Sequence, residues 1–159
     1  MRKIAILGTA LVLTACANIK VTSPVQKEIA RSKVYDLEYE QTWIRAVDWF
    51  ADHNVQIEKI EKTSGLITAK YSIRDNDGFL DCGDIKVSGT LNGANVHKYG
   101  SLNVTVRNRG ERSTRVNVNF FGEFELSAND AWDGRLVKTH GECVSNGRLE
   151  KSVLDYIGD

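Results

Sequence analysis

Asp75, Asp77, Asp81 and Asp84 are the one dense group of oxygen ligands in the chain, so cation chemistry is sought there first. Asp75-Asn76-Asp77-Gly78 invites comparison with a calcium loop, which alternates ligands through nine positions and closes on a bidentate Glu at the twelfth. Here Phe79 and Leu80 follow the glycine and Lys86 stands at the closing position. Turn residues in a solvated loop are the preferred reading, with a cation at Asp75, Asp77 and Asp81 kept as the alternative. His53, His97 and His140 lie far apart and show no ligand spacing, and His53 is expected to interact with a helix end. Cys82 and Cys143 show neither Cys-x-x-Cys spacing nor an adjacent histidine, which argues against a redox or metal pair. No nucleophile elbow, Ser-x-x-Lys or phosphate-cradling glycine loop is present. The expectation is therefore no catalytic residue, no metal and no cofactor.

The elements that must position these residues follow from periodicity. Trp43, Ala46, Val47, Phe50 and Ala51 recur at intervals of three and four, predicting a helix from Tyr39 or Glu40 to His53, ended by Asn54. Trp43 and Trp49 belong to its packed side, whereas Trp132 stands among polar neighbours and is the better candidate for an exposed contact. Lys33 to Leu37 is read as a first strand. Val55 to Ile60 and Leu66 to Tyr71 flank Thr63-Ser64-Gly65 and predict a hairpin. Ile85 and Val87 suggest a further strand, followed by a loose stretch up to Gly100. Leu102, Val104 and Val106 face Val116, Val118 and Phe120 across a turn containing Gly110, the best hairpin signal in the chain. Phe121 breaks that alternation, and Gly122 is read as a bulge. Ala128 to Leu136 suggests a short helical turn. Leu149, Val153, Leu154 and Ile157, after Ser145-Asn146-Gly147, predict a closing helix. The expected fold is α+β: a single two-layer domain, an antiparallel sheet of about five or six strands with an N-terminal and a C-terminal helix on one face.

Net charge excludes one large class of partners. The chain has 21 basic and 21 acidic residues, and removing residues 1–15 leaves 19 against 21. Nucleic-acid binding calls for a strongly basic surface, so no nucleic acid is expected. A chain of roughly 140 residues buries nearly 70% of its unfolded surface as one domain, which makes a single core sufficient. There is no internal repeat or long low-complexity tract.

Met1-Arg2-Lys3 and the apolar run Ile4 to Leu13 have the layout of a secretory signal segment, too short for the about 20 residues that span a bilayer. The alternatives are ordinary secretory cleavage nearby or an uncleaved apolar segment. Leu13-Thr14-Ala15-Cys16 resembles the lipobox of bacterial lipoprotein signal peptides. The resemblance implies cleavage before Cys16, lipidation of its thiol and a membrane anchor, which two or three acyl chains make stable. Residues 1–15 are then the signal peptide, 16–32 the lipidated cysteine and a flexible tether containing Pro24, and 33–159 the domain. With Cys16 assigned to lipid beyond the inner membrane, Cys82 and Cys143 remain, in a compartment where disulfides persist, and are expected to pair. Such a bridge is worth about 4 kcal/mol in the chain-entropy model and would tie the middle of the chain to its last helix.

The lipobox, the helix with Trp43 and Trp49, Ser64-Gly65-Leu66-Ile67, Asp81-Cys82-Gly83 and Cys143-Val144-Ser145-Asn146-Gly147-Arg148-Leu149-Glu150 together look like a family of small bacterial lipoproteins. The helix followed by a Gly-Leu-Ile strand is also similar to the repeated domains of the C lipoprotein of the barrel-assembly machinery, of which this chain has one unit. Ala17, where an aspartate signals inner-membrane retention, implies the outer membrane, facing the periplasm. The expected function is non-enzymatic: a lipid-anchored module that binds or helps assemble an envelope protein partner. The alternatives are a carrier or sensor of a small amphiphile, and a cell-envelope hydrolase.

Overall fold

The computed structural model describes residues 17–72 and 78–159. Residues 1–15, Cys16, Asp75 and Asp77 lie outside the described residues. One long alternation organises the rest: from Thr114 to Asp130 every second residue of β8 (Ser113–Asp130) is buried. A period of two sustained over a strand puts one face on a core and the other toward water. β7 (Leu91–Gly110) pairs antiparallel with β8, with irregularities only between Asn92 and Asn95 and between Asn108 and Gly110. β4 (Leu66–Ser72) extends the sheet beyond β7, and β3 (Ile57–Glu61) pairs with β4 across the Thr63-Ser64-Gly65 turn. On the far edge of β8, β2 (Ser32–Tyr35) takes residues 114–117 and β9 (Leu136–Ser145) takes 122–129. β5 (Leu80–Asp81) pairs with β9 and completes a seven-stranded antiparallel sheet. With α1 (Tyr39–Asp52) and α2 (Arg148–Gly158), the fold is α+β, as the sequence predicts.

The larger core joins both helices to the turn end of the β7–β8 hairpin. Trp43, Ala46, Trp49 and Phe50 of α1 and Leu149, Val153, Leu154 and Ile157 of α2 cluster with Leu102, Val104, Val106, Val116, Val118 and Phe120. Each Val, Leu, Ile and Phe side chain among them contributes about 1.5–3 kcal/mol by leaving water. Polar clips set the helix positions: the Tyr35 hydroxyl donates to the Leu154 carbonyl, and the Arg45 guanidinium donates to the Ile157 carbonyl at 2.8 Å. Burial, reinforced by Asp155, pushes the Tyr35 hydroxyl well above its ordinary pKa of 10.0 and keeps it a neutral donor. α1 ends as expected, with Asn54 at φ 53° and the Val55 N–H donating to the Phe50 carbonyl. α2 is preceded by Gly147 at its N-cap, whose N–H donates to Ser145 Oγ at 3.1 Å, and that hydroxyl donates to Glu150 at 2.7 Å.

A smaller core lies under the other end of the same hairpin. Phe124, Leu126, Ala128, Cys82 and Cys143 cluster there, flanked by Ile19, Ile85 and Val87. The last three come from a separate two-stranded sheet, in which β1 (Asn18–Thr22) pairs antiparallel with β6 (Asp84–Ser88). This corrects the flexible tether expected over 16–32. Ile19 and Val21 alternate with polar residues, and the partner that uses the alternation lies far along the chain. Gly83 permits the approach: at φ 75° it lies against the β1 end so closely that a Cβ there would sit 1.9 Å from the Thr22 carbonyl oxygen.

Four other expectations change. The stretch before Gly100 is not loose but belongs to β7, and Ala128 to Asp130 continues β8 instead of forming a helical turn. The main sheet has seven strands, against the about five or six expected, and two more strands form the separate β1–β6 sheet. Gly122 is no bulge, since the ladder runs through it in register with Gly100 on one side and Cys143 on the other. Its missing side chain instead admits Leu80, whose Cδ1 would lie 2.2 Å from a Cβ at that position.

Candidate binding surface

The sheet face away from the core is built by the other phase of the same alternation. Thr68 and Lys70 of β4, Ser101, Asn103 and Thr105 of β7, and Asn117, Asn119, Phe121 and Glu123 of β8 share it by register. Among these polar residues Phe121 is 55% exposed, and Tyr99, on the diagonal across the ladder, is equally exposed. Diagonal neighbours on one sheet face lie about 7–8 Å apart, close enough for two aromatic side chains to form one patch. Phe121 therefore keeps the alternation that the sequence suggests it breaks, and spends its phase on solvent.

Beside this patch the edge of β8 has no continuous partner strand. β2 stops opposite Asn117 and β9 begins opposite Gly122, and in the interval the Val118 N–H donates to the Arg31 carbonyl at 2.7 Å. A cleft of about 530 Å³ occupies the interval, lined by Gln26, Arg31, Asn119, Phe121, Glu123 and Glu142 among others. The side chains of Arg31, Glu123 and Glu142 form no ion pair among the described residues. Neighbouring charges are matched, Lys70 with Glu58 at 3.0 Å and Lys138 with Glu125 at 3.1 Å. The patch thus combines exposed aromatic area with unmatched charges of both signs.

The residues singled out in the sequence are dispersed. Asp81 accepts from the Gly83 N–H at 2.9 Å in a turn, and Asp84 pairs with Lys86 at 3.0 Å. Asp75 and Asp77 are outside the described residues, and no cluster of three or more potential metal ligands occurs among those that are described. His53 stacks on Trp49 with ring centres 4.6 Å apart, and its Nδ1 lies 2.8 Å from the Trp49 carbonyl oxygen at the end of α1. His97 lies on β7 and His140 on β9. Trp43 and Trp49 are buried, while Trp132 is 88% exposed. The Cys82 and Cys143 sulfurs are 2.01 Å apart, a disulfide distance, and link the β5–β6 connection to β9, not directly to α2.

Groups with shifted proton affinity do not converge either. Tyr39, raised chiefly by burial, sits beside Lys62, and Tyr156, raised chiefly by its hydrogen bond with Asp52, spans the helices. Asp133 is held below the usual carboxylate range, first by the Arg135 backbone N–H that donates to it. No helix among the described residues is long and apolar enough to cross a membrane. Sequence reasoning missed Tyr99, because its strand was read as loose. The signal for Phe121 was present: a large apolar residue in the polar phase of a long alternation. No protein-family model matches the chain, and no curated protein is significantly similar to it.

Proposed function

We propose that the chain is a lipid-anchored envelope lipoprotein of the bacterial outer membrane, facing the periplasm, whose two-layer domain binds a protein partner without catalysis. In this reading residues 1–15 are a signal peptide, Cys16 carries the lipid, both helices cover one sheet face, and the other face is offered to the partner. The carrying observation is the exposed pair Tyr99 and Phe121 beside the unmatched charges of Arg31, Glu123 and Glu142. Aromatic side chains bury large areas for few rotatable bonds, and flanking charges set orientation and exclude wrong partners. The Cys82–Cys143 pair supports an oxidising compartment.

The test is co-purification of the tagged, lipidated protein from envelopes in mild detergent. A partner at stoichiometric ratio is expected, lost in Phe121→Ser and Tyr99→Ser, and lost when Cys16→Ser removes the anchor. A partner retained at full ratio by both sheet-face variants would sink the assignment of this face.

One groove favours the second reading, a carrier or sensor of an amphiphile. It measures about 440 Å³ and is lined by Ile29 and Leu154 with Lys33 and Arg148, and with Lys151 paired to Asp155, so an apolar tail would meet the first two and an anionic head Lys33 and Arg148. Stoichiometric lipid extracted from the purified domain, with no protein partner, would move the function there.

A further inference from the structure

The pairing of β1 fixes more than a core. Had residues 17–32 run free, they could have held the domain about 50 Å from the bilayer. Asn18 is instead already in the ladder opposite Ser88, and Ser88 Oγ donates to the Asn18 carbonyl at 3.3 Å. Two peptide units separate Cys16 from Asn18, a reach of about 7 Å at most, comparable to the thickness of the headgroup layer. A lipid on Cys16 therefore holds this end of the domain against the membrane surface.

What else lies at this end follows from the hydrogen bonds. Ser88 leads through Gly89 to Thr90, whose carbonyl accepts the Ala131 N–H at 2.8 Å, and Trp132 is the next residue. The path from Asn18 to Trp132 is no longer than roughly 22 Å. Trp132 is 88% exposed and Leu136, at the far side of the same turn, is 57% exposed. The turn holds the indole outward by design of its backbone: Asp130 accepts the Trp132 N–H on its carboxylate at 2.9 Å and the Gly134 N–H on its carbonyl at 2.8 Å. The Asp130 N–H donates to the Arg135 carbonyl at 2.9 Å. Asp133 pairs with Arg135, and Asp130, which has no ion pair among the described residues, is buried with its carboxylate turned onto the Trp132 N–H, so neither opposes a lipid surface.

We infer that the β8–β9 turn is a second membrane contact, with the Trp132 indole seated in the lipid–water interface beside the anchored Cys16. An amphipathic ring with one polar N–H suits that layer, and an acyl anchor joined to a second contact fixes orientation where an anchor alone fixes only proximity. The inference rests on the lipid-anchor reading. It does not depend on the partner, and it leaves the Tyr99–Phe121 face, far along the hairpin from the turn, free of the bilayer.

The chain carries three tryptophans, of which only Trp132 is exposed, so its emission can be read separately. The lipidated protein is incorporated into phosphatidylcholine vesicles brominated on the upper part of the acyl chains, and tryptophan quenching is measured. Loss of about a third of the emission is expected from the wild type and none from Trp132→Phe, whose surface position preserves the fold. Cys16→Ser expressed without residues 1–15, so that neither the lipid nor the apolar signal segment anchors it, should stay in solution and lose none. Wild-type protein that fails to associate with the vesicles overturns the anchor reading and this inference with it. Protein that associates yet shows no quenching, with Trp132 as open to aqueous acrylamide as in Cys16→Ser, overturns the inference alone.

Discussion

The two halves of the β7–β8 hairpin share one strand pair and one buried phase, yet they are covered by different materials. At the turn end, helices α1 and α2 supply eight of a cluster of eighteen buried residues, including three of the largest side chains in the chain, Trp43, Trp49 and Phe50. At the open end, the cluster holds five buried residues, two of them cysteines, and its cover is the two-stranded β1–β6 sheet. A small apolar cluster cannot by burial alone offset the entropy of ordering its own strands, and small scaffolds answer this with crosslinks. The two halves divide the labour: the helix-covered half is held by packing, and the sheet-covered half by packing plus a covalent tie. Leu80 joins them, packing against both clusters over the side-chain gap at Gly122.

Removing the largest buried side chain of the helical half should break the whole molecule. Trp49 is fully buried, meets Phe50 edge-on at 5.1 Å and donates from Nε1 to Ser152 Oγ at 3.3 Å. Trp49→Ala is expected to cost about 3–5 kcal/mol in denaturant titration, with both halves lost in one transition. Persistence of a folded β1–β6 end after α1 has melted would mean that the smaller core is independent.

The paired variant Cys82→Ala with Cys143→Ala should cost about 2–4 kcal/mol and act locally. Amides of Asn18–Thr22 and Asp84–Ser88 should exchange with solvent before those of Leu102 to Val106. Uniform acceleration of exchange along the hairpin would dissolve the distinction between the halves.

Gly122→Ala probes the joint. The added Cβ would meet three atoms of Leu80 within 3 Å, so Leu80 must move, at an expected cost of about 1–3 kcal/mol. A companion Leu80→Ala should then cost less in the variant than in the wild type, and strictly additive losses would show that the two do not meet.

A pH titration sharpens the comparison further. Because Tyr35 keeps its proton to higher pH when folded than its ordinary 10.0, its contribution is complete below pH 10 and declines as pH rises above that value. Tyr35→Phe should flatten this decline in the helix-covered half, and an unchanged alkaline slope would assign it to other groups. Smallest in stability is Phe121→Ser: an exposed side chain on neither core should shift unfolding by no more than about 0.5 kcal/mol while removing half of the aromatic patch.

Legibility in the sequence followed the range of the interactions involved. Both helices, the β3–β4 hairpin and the turn end of β7–β8 were readable, because their periodicity is local and each runs long enough to show a face. The five residues of β1 and the stretch 91–100 were not, since a short alternation becomes a strand only when a distant partner arrives to satisfy its backbone groups. The candidate surface divides the same way: Phe121 was visible as a misfit in its pattern, whereas Tyr99 gained its meaning from standing diagonal to it.

By itself, then, the sequence determined the α+β class, the packed roles of Trp43 and Trp49 and the exposure of Trp132, and it made Cys82 and Cys143 the expected pair. These depend on which faces are apolar and which groups remain for one another. Tertiary structure alone decided that one hairpin carries two cores, that Gly122 is a seat for Leu80, and that Asn18 sits in a ladder two residues from Cys16. Those facts depend on register between segments far apart in the chain, and register is fixed only when all the strands pack together.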